Sequence, residues 1–165
     1  MPRPQPIKPA PGQESVWDYP RPPRLDHVRK TVTVTFAGRV VAQASEAIRV
    51  LETSHAPTVY LPPGSFVEGS LTESGWTTFC EFKGAAAYAH LEAGGQRAEH
   101  AVWWYPNPTP GFEAIAGWPT VYPSRVDRIV FGDDVVTPVG GDFYGSWVTP
   151  DVVGPFKGGP GTEGW

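Results

Sequence analysis

Two aromatic runs, each ended by proline, constrain this chain more than anything else in it. The first is Ala101, Val102, Trp103, Trp104, Tyr105 and Pro106; the second is Trp118, Pro119, Thr120, Val121, Tyr122 and Pro123. Bulky rings beside β-branched residues favour strands, and proline ends a strand because it cannot donate to the ladder. Side chains of a strand alternate between its faces. Trp103 and Tyr105 therefore share a face, and Trp104 takes the other. Packed inward, such rings are the core of a small β domain. Brought alongside Trp118 and Tyr122, they line a concavity that stacks on flat or cationic groups.

The rest of the composition fits a β protein rich in turns. The chain has 165 residues with 20 prolines, 19 glycines and only 18% charged residues, which disfavours a helix bundle. The net charge is −4 and the arginines are scattered, against the basic stripe of a nucleic-acid binder. The single cysteine, Cys80, excludes an internal disulfide and a four-cysteine zinc site, and suits a reducing, cytoplasmic setting. No apolar run has the length of a membrane span, and the proline-rich start lacks the apolar stretch of a signal peptide.

Three segments are expected. Residues 1–28 form a proline-rich arm, in which Trp17 and Tyr19 pack onto the domain. Residues 29–139 form the β body. Residues 140–165 form a second arm of Gly, Pro and aromatic residues, riveted by Phe143, Tyr144, Trp147, Phe156 and Trp165. Within the body, residues 31–36 and 39–44 alternate and make a hairpin across Ala37 and Gly38. Ser45 is placed to cap a short helix over residues 46–52, with Ala47, Ile48 and Leu51 on one face. Strands follow at 58–61, 66–71 and 77–82, a hairpin pairs 85–91 with 98–105, and one helical turn covers 112–115. Strands at 120–122, 126–131 and 135–139 complete the body.

Several runs resemble a known pattern in order and spacing. They are Glu52, Thr53, Ser54, His55 and Pro57; Tyr60 and Pro62; Thr78, Cys80, Lys83 and Gly84; Trp103, Tyr105 and Pro108; and Ile115 and Gly117 leading to Tyr122 and Pro123. On these the body resembles the domain-of-unknown-function 427 family, which also carries a nucleotidyltransferase label. The two arms are similar to extended bacterial members common in actinobacteria. The resemblance implies a β-tent: a pair of antiparallel sheets meeting steeply, similar to the thalidomide-binding domain of cereblon. Relatives pin the sheets with a four-cysteine zinc, which Cys80 alone excludes, so neither structural zinc nor cofactor is expected. Their tryptophan cage for cyclic imides and uracil-like rings implies a cage of Trp103, Trp118 and Tyr122 here. Glu81 and Ser65 depart from the family pattern, where proline and an acidic residue are common.

Polar chemistry converges on few residues. His55 lies in a loop, where a scaffold commonly presents function. Lys83 stands at a strand end, placed to meet a phosphate or carboxylate. Cys80 is either a small buried hydrophobe or a thiolate needing a nearby base. Asp133 and Asp134 are the only adjacent acidic pair and sit in a turn, which suits turn chemistry better than metal binding. His90 and His100 face one another across their hairpin. The expected function is a binding module for a small flat heterocycle, with Trp103, Trp118, Tyr122 and Tyr60 as walls and His55 and Lys83 as polar contacts. An enzyme acting on a nucleotide through His55, Cys80 or Lys83 is the second reading. A homodimeric interaction protein joined through its aromatic arms is the third.

Overall fold

The computed structural model describes residues 3–140 and 144–165, and Phe143 falls outside them. The protein is mostly β, as expected, and is built of several sheets. Strands β1 (Glu14–Ser15) and β15 (Val152–Val153) pair in parallel. A four-stranded sheet runs β12 (Asp134–Val135), β11 (Arg128–Phe131), β3 (Val32–Phe36), β4 (Arg39–Ala44). A second runs β10 (Thr120–Val121), β9 (Gln96–Trp104), β8 (Gly84–Ala93), β7 (Leu71–Cys80). Three strands, β2 (Arg24–Val28), β5 (Ala47–Leu51) and β6 (Thr58–Tyr60), make a third sheet in the order β2-β5-β6. The pair β13 (Thr137–Pro138) and β14 (Trp147–Val148) fastens the second arm.

The hairpin β3–β4 forms as the sequence implies. Phe36 pairs with Arg39, and Ala37 and Gly38 take φ of 53° and 72°, the turn that matches the twist of the strands. The helix expected over residues 46–52 is instead strand β5. Of its residues only Arg49 is not fully buried. Ile48 and Val50 enter one apolar cluster, Ala47 a second and Leu51 a third. A central strand covered on both faces loses the polar half of its alternation, and its remaining pattern imitates a helix. Helical structure among the described residues is confined to 3-10 turns at Val16–Asp18, Glu113–Ile115 and Pro123–Arg125. The strand expected at 66–71 reduces to a bridge between Phe66 and Ala42. No helix among the described residues is long and apolar enough to cross a membrane.

Strand β9 divides the core as its alternation dictates. Val102 faces the largest cluster, with Trp104 packed at that cluster's margin, while Trp103 and Tyr105 face the second cluster. Trp147 of the second arm is fully buried in the largest cluster and donates its indole N–H to the Val121 carbonyl at 3.1 Å. Phe131 meets it edge-on, with centroids 6.0 Å apart.

The arms are built into the fold. Strand β2 lies within the segment expected as the first arm, yet it pairs with β5 along its whole length. Val16 and Tyr19 pack with Leu51 and Val152. Arg49 reaches from β5 to Asp26 at 2.6 Å and to Glu14 at 2.5 Å, and the Tyr19 hydroxyl donates to Glu14 at 2.7 Å. Burial works against the guanidinium charge, but its bonds to the two carboxylates outweigh that and hold it protonated. Trp17 meets Trp165 at 5.6 Å and donates to the Pro155 carbonyl, joining one arm to the other. These rings are spent on contacts within the chain.

Candidate functional site

A cavity of about 440 Å³ opens between the β5–β6 side of the three-stranded sheet and one face of the sheet β10-β9-β8-β7. Register sets that face. Tyr88 stands directly opposite Trp103, and Thr78 opposite Ala86, so their side chains point the same way. The rings then meet in series. Tyr88 stacks near Trp103 at 6.3 Å and 25°, and Trp103 leans on Tyr122 at 4.5 Å. The Arg125 guanidinium lies 4.2 Å from the centre of the Tyr122 ring. Tyr60 and Tyr105, 6.2 Å apart, line the cavity from β6 and the end of β9. Burial raises both phenols well above their ordinary range, so they stay neutral.

The mouth is formed by β7, the edge strand of its sheet. Its pairing with β8 slips between Glu73 and Thr77, a bulge at which Gly75 takes a φ of 79°. Trp76 lies within the bulge and stacks on His100 at 3.3 Å and 6°. Trp76 and Phe79 both line the cavity and remain 55% and 79% exposed, the largest solvent-facing rings in the described chain. His90 and His100 do face each other across β8–β9, at 4.6 Å, and the His90 ring accepts the His100 backbone N–H.

His55 is 9% exposed on the opposite wall. Ser54, at a φ of 72°, turns the loop that carries it. The backbone N–H of Lys157 holds that loop by donating to the Ser54 carbonyl at 2.7 Å. His55 Nδ1 lies 2.9 Å from the Thr53 carbonyl, which can only accept, so the neutral ring carries its proton there and Nε2 is an acceptor. Burial lowers the His55 pKa, against the opposing pull of Glu52, and keeps the ring neutral. Tyr144 meets it edge-on at 4.7 Å.

Lys83 comes from the hairpin turn after β7. Thr109 pins that turn: its N–H donates to the Lys83 carbonyl at 3.1 Å and its hydroxyl to the Phe82 carbonyl. The Lys83 ammonium sits 5.7 Å from the centre of the Tyr105 ring. Cys80 is a free, half-buried thiol on the same wall.

Five of the six residues expected at a ligand site, Trp103, Tyr122, Tyr60, His55 and Lys83, thus line one cavity. Trp118 does not; it packs, half-buried, against the ring cluster, in a turn closed by its backbone N–H on the Ile115 carbonyl. Reading the sequence missed Trp76, Tyr88, Arg125 and Tyr144 as lining residues. Tyr88 was within reach, since pairing 85–91 with 98–105 sets it across from the β9 rings. Trp76 was hidden by the bulge, and Arg125 and Tyr144 reach the site from loops that carry no period.

The fold and the site define a class: a mostly β protein whose sheets enclose a cavity walled by aromatic rings. Residues 24–132 match the family model NTP_transf_9, described as a domain of unknown function (DUF427). The match covers about two-thirds of the chain, and the protein belongs to that family. No curated protein matches it. Among the described residues no group of three or more His, Cys, Asp or Glu side chains is placed to hold a metal ion.

Proposed function

We propose that the protein is a small-molecule-binding module whose cavity takes a flat heterocycle of the uracil or cyclic-imide type. The observation that carries this reading is the wall made by Tyr88, Trp103 and Tyr122, faced by a histidine held neutral with Nε2 as acceptor. A planar ring stacks on such a wall, at roughly 1–3 kcal/mol per ring face by analogy with base stacking. An imide N–H suits an acceptor such as Nε2. The volume is within the range of ordinary ligand pockets.

Titration with uracil, uridine and glutarimide, followed by tryptophan fluorescence and calorimetry, tests the reading. Saturable binding weakened at least tenfold by Tyr122→Ala and by His55→Ala is expected. No binding by any of the three rings to the folded protein refutes it. An enzymatic reading rests on a separate observation, that His55, Cys80 and Lys83 line the same cavity. Turnover of a nucleotide, lost in His55→Ala or Cys80→Ala, is its test.

A further inference from the structure

The charge on the cavity wall is unbalanced. Among the described residues, the charged side chains lining it are Glu52, Lys83 and Arg125. Glu52 is already paired with Arg21 at 3.1 Å. Arg125 donates to the carbonyls of Glu99 and His100, at 3.1 and 3.0 Å, and covers Tyr122. Lys83 has no ion pair among the described residues, and its ammonium lies over the face of Tyr105. His55, Tyr60 and Tyr105 are neutral and offer it no counter-charge. A lysine with neither ion pair nor buried polar partner is usually a mobile, solvated one. This one instead has its carbonyl held by the N–H of Thr109, whose hydroxyl holds the neighbouring Phe82 carbonyl, beside an aromatic cavity.

Space agrees with charge. About 440 Å³ far exceeds a single six-membered ring, so a heterocycle stacked on Trp103 leaves room for a substituent. Ring and ammonium are reached from the same wall, since Lys83 lies over Tyr105 and Tyr105 shares the Trp103 face of its strand.

We propose that the natural ligand is a planar heterocycle bearing an anionic group, a carboxylate or a phosphate, and that Lys83 binds that anion while the rings stack on the heterocycle. This rests on the binding-module reading above and narrows it. A half-buried ammonium meets an anion by a charge-assisted hydrogen bond, stronger than a neutral one. Uncharged rings lack that contact and bind more weakly.

Two matched pairs of probes test the proposal: uracil against uracil-6-carboxylate, and uridine against uridine 5′-monophosphate. Each is titrated into the wild type, Lys83→Met and Lys83→Arg, with thermal melting as the control for folding. The anionic member of at least one pair is expected to bind tenfold or more tightly, and Lys83→Met to bring it level with its neutral partner. Lys83→Arg should restore most of the gap. The pair that shows the gap identifies carboxylate or phosphate. Equal affinity within both pairs overturns the proposal and leaves ring binding standing. A gap that survives in Lys83→Met overturns the role of Lys83. Failure of all four probes to bind overturns this proposal, and with glutarimide also unbound it refutes the ring-binding reading itself.

Discussion

Gly145, beside Tyr144 in the second arm, packs against the rings of the cavity wall and supports a quantitative test. Its φ is 65°, and a Cβ built there lies 2.9 Å from Tyr122 Cδ1 and closer still to Trp103 Cη2. Gly145→Ala therefore carries two penalties. The left-handed backbone costs an L-residue about 1–2 kcal/mol, offset in part by the lower entropy of the unfolded chain. Overpacking against two buried rings adds about 1–3 kcal/mol. Gly64 isolates the first penalty. Its φ is 86° in the turn that Ser65 closes on Pro62, and a Cβ there meets nothing within 4 Å. Gly64→Ala is expected to cost about 1 kcal/mol, and Gly145→Ala about 2–4 kcal/mol, by urea denaturation followed by circular dichroism. Ring binding should weaken in Gly145→Ala alone, because Trp103 must move. Equal costs for the two variants would refute the packing of this arm against Trp103 and Tyr122.

Four further outcomes are expected. The folded His55 pKa is lowered, so its contribution to stability is fully present above the unfolded value of about 6.5. Below that pH the unfolded chain takes up a proton that the folded ring resists. The drop in urea midpoint from pH 7.5 to 5.5 should shrink in His55→Gln. Trp103→Ala should lose stability as well as binding, by about 3–5 kcal/mol, since Trp103 is only 5% exposed; the milder Trp103→Phe should separate the two in calorimetry. Arg49→Met leaves Glu14 and Asp26 without their cation and should cost about 1–3 kcal/mol in denaturant titrations. A bound ring should cover Trp76 at the mouth, so acrylamide quenching of tryptophan should fall on binding and not in Trp76→Phe.

Much of the fold was legible where one face of a strand meets water. Strand β3 reads buried, half-buried, buried in step with its Val-and-Thr alternation, and its hairpin follows from Ala37 and Gly38. The β9 rings were legible for the same reason, since Trp103 and Trp104 part to opposite clusters. Legibility failed where burial is two-sided. In β5, Ile48 and Val50 look into the cavity cluster while Ala47 and Leu51 are buried behind it, so no solvent face is left to mark the period. The candidate site was half legible. His55 and Lys83 were singled out because their residue types suit a ligand, but the pinning of Lys83 by Thr109, distant in sequence, has no local signature. Trp118 was grouped with the wall by its type, but it packs against the ring cluster without lining the cavity.

The link between the two arms bears on when this protein acquires its cavity. Trp17 bonds to Pro155 across a separation of 138 residues, and Lys157 holds the Ser54 carbonyl beside His55. Contacts this distant in sequence carry the largest loop-closure entropy and form after local pairings. The hairpins β3–β4 and β8–β9 can close during synthesis, but the loop of His55 gains its last hydrogen bond only once residue 157 has left the ribosome. The cavity is thus completed by a segment that follows its sheets in sequence, so a product cut before residue 157 can carry most of the sheet and yet lack the bond that holds the His55 loop.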